Sequence, residues 1–126
     1  MSMKTPLKAA RGLGAAKSGT EHFWQQRLTA LFNIPLLLFW VWFVVTHLGV
    51  SRFDVKMSLH NPVISVLLLL TMANVFWHMR LGMQVIIEDY IHGHGRKFAA
   101  LILNTVFVAV LFVVATHSIL TLSFAN

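Results

Sequence analysis

Three long apolar stretches without a charged residue decide what this chain can fold into. They run from Leu28 to Val50, from Pro62 to Met79 and from Phe98 to Phe124. A helix rising about 1.5 Å per residue needs about 20 residues to cross about 30 Å of hydrocarbon, and each stretch approaches or exceeds that length. A membrane barrel would need apolar and polar residues in alternation, which the leucines at 67–70 do not show. We predict an all-α membrane protein with three transmembrane helices, at about 24–49, 61–91 and 97–123.

The composition agrees with one small lipid-embedded unit. Hydrophobic residues make up 57% of the 126 residues and charged residues only 11%. The chain has no cysteine, which excludes disulfides, thiolate metal sites, iron–sulfur clusters and cysteine nucleophiles within it. Any metal centre that the chain takes part in therefore uses other ligands.

The net charge of +6 comes from basic residues that lie mostly at the ends of the apolar stretches. An excess of Lys and Arg marks the cytoplasmic side of a membrane protein. We divide the chain into an N-terminal arm at 1–20 and a three-helix anchor at 21–126. The rule predicts that the arm and the loop from Glu88 to Lys97 are cytoplasmic and that the C-terminus is periplasmic. It explains the charge without nucleic acid, and we favour a bacterial cytoplasmic membrane over the mitochondrial inner membrane. A transit peptide is the alternative for the arm, although no apolar h-region precedes a cleavage site.

The rest of the chain is predicted to consist of short connections, a kinked first span and a third span without site residues. Ser51 to Asn61 is expected to be a short polar loop that makes the first two helices an antiparallel hairpin. A kink is expected at Pro35, because proline removes one backbone hydrogen bond. The third span is interpreted as structural, and His92 and His94 as loop residues.

The second span carries polar side chains on one face. Eleven residues turn an ideal helix by about 1100°, which is three turns plus roughly 20°, so His78 and Asp89 share a face about 16 Å apart. Arg80 lies about 200° around from His78 and is predicted to point nearly the opposite way. The face of His78 also contains small or polar residues at helical spacing, namely Thr71, Asn74, Gly82 and Val85. Small residues let another helix or a flat macrocycle approach the backbone closely.

A histidine in a membrane span has two interpretations. A neutral imidazole is a good axial ligand for haem iron, since it brings a strong donor nitrogen into lipid without a charge. Alternatively, His78 is hydrogen-bonded to a neighbouring helix.

Asp89 and Tyr90 lie where the second span is predicted to meet the inner membrane boundary. A phenol is a neutral hydrogen-bond donor suited to a quinone carbonyl, and a nearby acid can assist proton delivery. The alternative is an interfacial tyrosine beside a solvated acid.

The pattern His78, Gly82, Gln84, Asp89 and Tyr90, followed by Ile91-His92-Gly93, closely resembles the hydrophobic membrane anchors of succinate dehydrogenase, the smaller of the two anchor types in that complex. The most specific part is a histidine, ten intervening residues and then Asp-Tyr. The resemblance extends over the chain, from a basic arm and a Gly-x-x-His-Phe entry through three spans.

The resemblance implies one half of a heterodimeric anchor bundle in succinate:ubiquinone oxidoreductase, or complex II. His78 would be an axial ligand of a haem b iron shared with a second cytochrome b anchor subunit, and Arg27 would lie near the haem propionates. Tyr90 would hydrogen-bond ubiquinone, with Asp89 as its acidic neighbour. Succinate oxidation would belong to a flavoprotein subunit, with electrons passing through an iron–sulfur subunit, so this chain would be a non-catalytic subunit that docks both. The alternatives are an anchor of a related quinol:fumarate reductase and a structural membrane protein that binds no haem.

Overall fold

Four helices make up the computed structural model, which describes residues 19–124. They are α1 (Gly19–Thr46), α2 (Arg52–Leu59), α3 (Pro62–Tyr90) and α4 (His94–Phe124). No strand occurs within this range. The helices α1, α3 and α4 are long and apolar enough to cross a membrane. The prediction of an all-α protein with three spans is thereby confirmed. Residues 1–18 of the predicted arm lie outside the described residues.

The helix α1 is shifted toward the N-terminus relative to the predicted span. It begins at Gly19, and in its first turns the side-chain amide of Gln25 donates to Glu21 at 3.2 Å. It ends at Thr46 because Gly49 adopts a left-handed φ of 79°, which turns the chain away from the helix axis. Pro35 lies inside this continuous helix.

The prediction of a polar loop at Ser51 to Asn61 is wrong, because most of the segment forms α2. The Ser51 hydroxyl caps this helix by accepting a hydrogen bond from the backbone N–H of Asp54 at 3.2 Å. Leu59, at the other end, is buried with only 3% of its surface exposed. This short helix is therefore stabilised by a cap at one end and a buried apolar residue at the other. Its polar composition is what led to the prediction of a loop.

The bounds of α3 match the predicted second span. Pro62 occupies its first turn, and the Asn61 side chain accepts a hydrogen bond from the N–H of Val63 at 3.0 Å. The following helix begins earlier than expected, because the N–H of Lys97 donates to the carbonyl of Gly93 at 2.8 Å. His94, predicted to be a loop residue, is therefore the first residue of α4.

The helix α3 is central: α1 and α4 each pack along it, and within residues 19–124 they do not approach each other closely. A small core of Phe43, Leu59 and Leu68 brings α1, α2 and α3 together at one end of the bundle. Ser123 of α4 joins the same region by donating to the carbonyl of Leu59 at 2.8 Å. We call this the α2 end, and the opposite one, where α3 stops, the Tyr90 end.

Most apolar side chains of the three long helices are exposed. Such a surface would be unfavourable in water, but it suits hydrocarbon or the apolar faces of other transmembrane helices. The chain is therefore a multi-pass membrane protein whose long helices keep much of their surface free for lipid or partners.

Candidate functional site

A row of polar side chains on α1 faces α3. It consists of residues spaced by four, three and four positions, which places them on one face of the helix: His22, Gln26, Thr29 and Asn33. Opposite them on α3 lies the predicted small and polar face, of which Asn74, His78 and Gly82 contact this row or come near it. We call the contact between these two faces the α1–α3 seam.

Asn74 binds α1 through two hydrogen bonds. Its side-chain Nδ2 donates to the backbone carbonyl of Thr29 and to the Oδ1 of Asn33, both at 2.8 Å. Hydrogen bonds between transmembrane helices contribute about 0.6 kcal/mol on average, and up to about 1.7 kcal/mol. The pair therefore sets the register of α1 against α3 close to His78.

The half-buried imidazole of His78 lies one turn from Asn74 and points into the seam. Its Nδ1 is 2.9 Å from the Oγ1 of Thr29. The other ring nitrogen, Nε2, has no hydrogen bond with any described residue. One nitrogen of the ring is thus engaged by α1, and the other is available to a ligand.

Space beside His78 is provided by Gly82, one turn further along α3. A Cβ atom built on Gly82 would meet only the Nε2 of Gln26, at 4.0 Å. One turn further along α1, the Nε2 of His22 is buried without a hydrogen-bond partner in the part of the chain that the structure describes. The seam beyond His78 is therefore loosely filled and contains an unsatisfied polar atom.

At the Tyr90 end, α3 presents Asp89 and Tyr90 to the surroundings. Tyr90 is 80% exposed, and neither side chain makes a hydrogen bond with another described residue. The neighbouring Glu88 is instead tied into the fold, since its carboxylate accepts from Gln84 at 2.8 Å and its carbonyl accepts from Lys97 at 3.0 Å. Both side chains that the sequence singles out are thus unengaged at this end.

The two arginines nearest the seam point away from it. The guanidinium of Arg27 lies 4.7 Å from the centre of the Phe23 ring and does not contact His78. Arg80 faces α4, where its Nε lies 3.3 Å from the Oγ1 of Thr105 and its carbonyl accepts from Asn104 at 3.0 Å. The predicted separation of Arg80 from the face of His78 is confirmed.

A metal held by this chain alone has no obvious place among residues 19–124. Within that range no three His, Asp or Glu side chains come together as ligands. An iron centre at His78 would therefore need a macrocycle and a further axial ligand from outside the chain. The geometry at His78 fits such a group, since a free Nε2 and the open space at Gly82 lie on the same face.

The polar residues of α1 were not predicted as site residues, although their pattern is visible in the sequence. They are Gln26, Thr29 and Asn33. Their spacing with His22 gives one polar face in a span otherwise rich in Leu, Phe and Trp. The signal was the same helical spacing that marked the face of His78, on the helix that packs against it.

The comparison of sequences assigns this chain to a known class of membrane subunit. Residues 1–114 match the family described as succinate dehydrogenase/fumarate reductase transmembrane subunit. The chain belongs to this family. Its resemblance to succinate dehydrogenase anchors is thereby confirmed.

Named relatives agree with this family assignment. The chain is 34% identical over 107 residues to the succinate dehydrogenase hydrophobic membrane anchor subunit of Rickettsia bellii, covering 85% of this chain and 81% of that protein. It is 31% identical over 103 residues to the subunit of the same name from Paracoccus denitrificans, covering 82% and 79%. The succinate dehydrogenase membrane anchor subunit of Reclinomonas americana is 33% identical over 90 residues, covering 69% and 75%. No solved structure matches the chain at a comparable level of significance.

Proposed function

We propose that this chain is the smaller membrane anchor of a succinate:ubiquinone oxidoreductase, in which it pairs with a second cytochrome b anchor. Together the two anchors dock the iron–sulfur and flavoprotein subunits, supply the ligands of one haem b and form part of the ubiquinone site. The family match and the names of the relatives support this assignment. The same names favour succinate dehydrogenase over fumarate reductase, since both relatives are called succinate dehydrogenase anchors.

The observation that carries the haem proposal is the environment of His78. Its Nδ1 is engaged by Thr29 at 2.9 Å, whereas Nε2 is free and Gly82 leaves room beside it. A haem iron bound at Nε2 would supply a one-electron centre within the membrane. The chain's own contribution is a half-buried imidazole whose ring is held in place by α1.

Arg27 is proposed to pair with a haem propionate. Its exposed guanidinium rests on Phe23 and has no acid partner among the described residues. It lies on the same helix as Thr29, two residues away, at the same depth as the seam but pointing away from it. A carboxylate at this depth would accept hydrogen bonds from the N–H groups of the Arg27 guanidinium.

Asp89 and Tyr90 are proposed to contact ubiquinone. They are unengaged side chains at the end of α3, about 18 Å along the helix from His78 to Tyr90. The Tyr90 hydroxyl would donate a hydrogen bond to a quinone carbonyl and orient the ring. Asp89, next to it, would accept or deliver the protons that quinone reduction requires.

The orientation of the chain is part of the same proposal. Positive charge concentrated before α1 and around Arg96 and Lys97 supports a cytoplasmic Tyr90 end in a bacterial cytoplasmic membrane. The α2 end and the C-terminus would then face the periplasm. The quinone-facing residues would lie on the side where the catalytic subunits dock.

The test is the haem spectrum of the assembled complex, purified in mild detergent with its subunits identified. We expect the reduced b-type absorbance band in the wild type and its loss or marked change in His78→Ala. His117→Ala is the matched control, since this exposed histidine of α4 lies far from the seam, and it should leave the band intact. An unaltered band in assembled His78→Ala would contradict the proposal.

A further inference from the structure

We propose that Thr29 is a positioning residue that selects the ring tautomer of His78. In this arrangement the proton of the neutral imidazole sits on Nδ1 and is donated to Thr29 Oγ1, so that the lone pair of Nε2 is left as the ligating atom. The inference rests on the proposed function, namely that His78 ligates a haem iron. It adds which nitrogen binds and which residue on α1 decides it.

The direction of the hydrogen bond follows from the other contacts of the Thr29 hydroxyl. Its Oγ1 lies 2.8 Å from the carbonyl oxygen of Gln25 and 3.1 Å from that of Gln26. A hydroxyl has one hydrogen, and a carbonyl oxygen can only accept. We assign the hydrogen to these carbonyls, because helical threonines commonly direct it to the preceding turn.

The lone pairs of Oγ1 are consequently what the imidazole meets. With the hydroxyl hydrogen assigned to the carbonyls, Nδ1 is the donor of the 2.9 Å contact, because two acceptors at this distance would repel. A neutral imidazole carries one proton, so a protonated Nδ1 leaves Nε2 unprotonated. That tautomer can bind iron through Nε2 without first moving a proton.

The acceptor is held rigidly in place. Threonine is branched at Cβ, which restricts its side-chain rotation in a helix. The backbone carbonyl of Thr29 also accepts a hydrogen bond from Asn74 at 2.8 Å, one turn from His78 on α3. Both the side chain and the backbone of Thr29 are thus bound to the face that carries the histidine.

A hydrogen bond at the second ring nitrogen has chemical consequences beyond packing. A group that accepts a hydrogen bond from the N–H raises the basicity of a metal-bound imidazole, and losing such a partner typically lowers metal affinity by about 10–100-fold. A more basic ligand stabilises the oxidised iron more than the reduced iron. Removal of the acceptor should therefore shift the haem potential in the positive direction.

The experiment compares Thr29→Val and Thr29→Ser in the purified, assembled complex. Valine keeps the branched shape but has no acceptor, whereas serine keeps the hydroxyl. For the valine variant we expect a more positive haem midpoint potential in a redox titration and haem retention that is about 10–100-fold weaker. For the serine variant we expect both properties to return toward wild type.

Thr105→Val is the matched control, because it makes the same substitution on the other side of α3. Its hydroxyl donates to the carbonyl of Leu101 and meets Arg80, away from the seam. It should leave the haem potential unchanged. A shift of equal size in Thr105→Val would assign the effect to general loosening of the bundle and overturn the inference.

The outcomes separate this inference from the proposed function. A wild-type complex without a b-type band, or an unaltered band in His78→Ala, overturns both. Haem that depends on His78 but has an unchanged potential in Thr29→Val overturns the role of Thr29 alone. Should that variant fail to assemble, ¹⁵N NMR of the reduced, histidine-labelled wild-type complex decides: a protonated Nδ1 with iron at Nε2 supports the inference, and iron at Nδ1 overturns it.

Discussion

The side-chain amide of Asn74 and the backbone carbonyl of Thr29 are joined by a hydrogen bond of 2.8 Å that crosses the α1–α3 seam. It lies one turn of α3 from His78, whose ring meets the side chain of the same threonine at 2.9 Å. A single residue of α1 therefore contacts both polar residues of α3 at this level. The geometry at His78 depends on the register that Asn74 sets.

Replacing Asn74 by leucine should loosen the seam selectively. The substitution removes two hydrogen bonds, which corresponds to about 1–2 kcal/mol of helix pairing. We expect a lower thermal stability and lower haem content in the purified complex, measured by thermal unfolding and by the absorbance of the reduced haem.

Asn104→Leu is the control for Asn74→Leu, because Asn104 donates to the carbonyl of Arg80 and joins α3 to α4 instead. It removes one hydrogen bond where Asn74→Leu removes two, so it should lower stability by a smaller amount and leave the haem content of the surviving complex near wild type. Equal loss of haem in both variants would argue against a special role of the α1–α3 seam.

Substitutions of Gly82 should show a steep dependence on size. Alanine places only a Cβ atom in the seam, where its nearest neighbour is the Nε2 of Gln26 at 4.0 Å. Phenylalanine would fill the space beside His78. We expect Gly82→Ala to retain most haem and Gly82→Phe to lose it, as measured by haem content per assembled complex. Full haem content in the phenylalanine variant would exclude the approach of the macrocycle along this face.

Tyr90→Phe should separate quinone chemistry from folding. The side chain is 80% exposed and has no hydrogen-bond partner among residues 19–124, so the change should not lower stability. We expect a reduced rate with ubiquinone, an unchanged haem spectrum, and unchanged succinate oxidation with a water-soluble electron acceptor. Wild-type kinetics with ubiquinone would favour an interfacial tyrosine without a role in the site.

Gly49→Ala should destabilise the turn between α1 and α2. The backbone φ of 79° is unfavourable for a residue with a Cβ atom by roughly 1–2 kcal/mol. Gly95→Ala serves as the control, because a Cβ atom added at Gly95, near the start of α4, would meet nothing within 4 Å. Thermal unfolding should show a lower midpoint for Gly49→Ala and no loss for Gly95→Ala.

The three spans were predictable because length and apolar composition suffice to identify a helix that crosses hydrocarbon. The opposite directions of His78 and Arg80 were also predictable, since both belong to one regular helix whose geometry fixes their angle. The structure places them against α1 and α4 respectively. The direction of a side chain on one regular helix depends only on its position in that helix, so it can be predicted from the sequence.

The short helix α2 and the pairing of Thr29 with His78 were not predicted, for different reasons. The Ser51 cap is a local contact, but the burial of Leu59 that stabilises α2 depends on packing against α1 and α3. The pairing across the seam depends on the register of two helices, which neither sequence stretch fixes alone. The polar spacing on α1 is nevertheless a signal in the sequence that indicates the face that meets α3.

The core shared by α1 and α3 lies at the α2 end, where Phe43 and Leu68 pack with Leu59. Toward the Tyr90 end the seam holds Gly82 and an unpartnered His22, and α4 gives α1 no lateral support within the described residues. The helices α1 and α3 are thus joined by a buried core at the α2 end and less closely packed toward the Tyr90 end. Bending of α1 between its first residue and Gln26 would change the width of the seam beside Gly82 and leave in place both the contacts of Thr29 with His78 and Asn74 and the α3–α4 pairing.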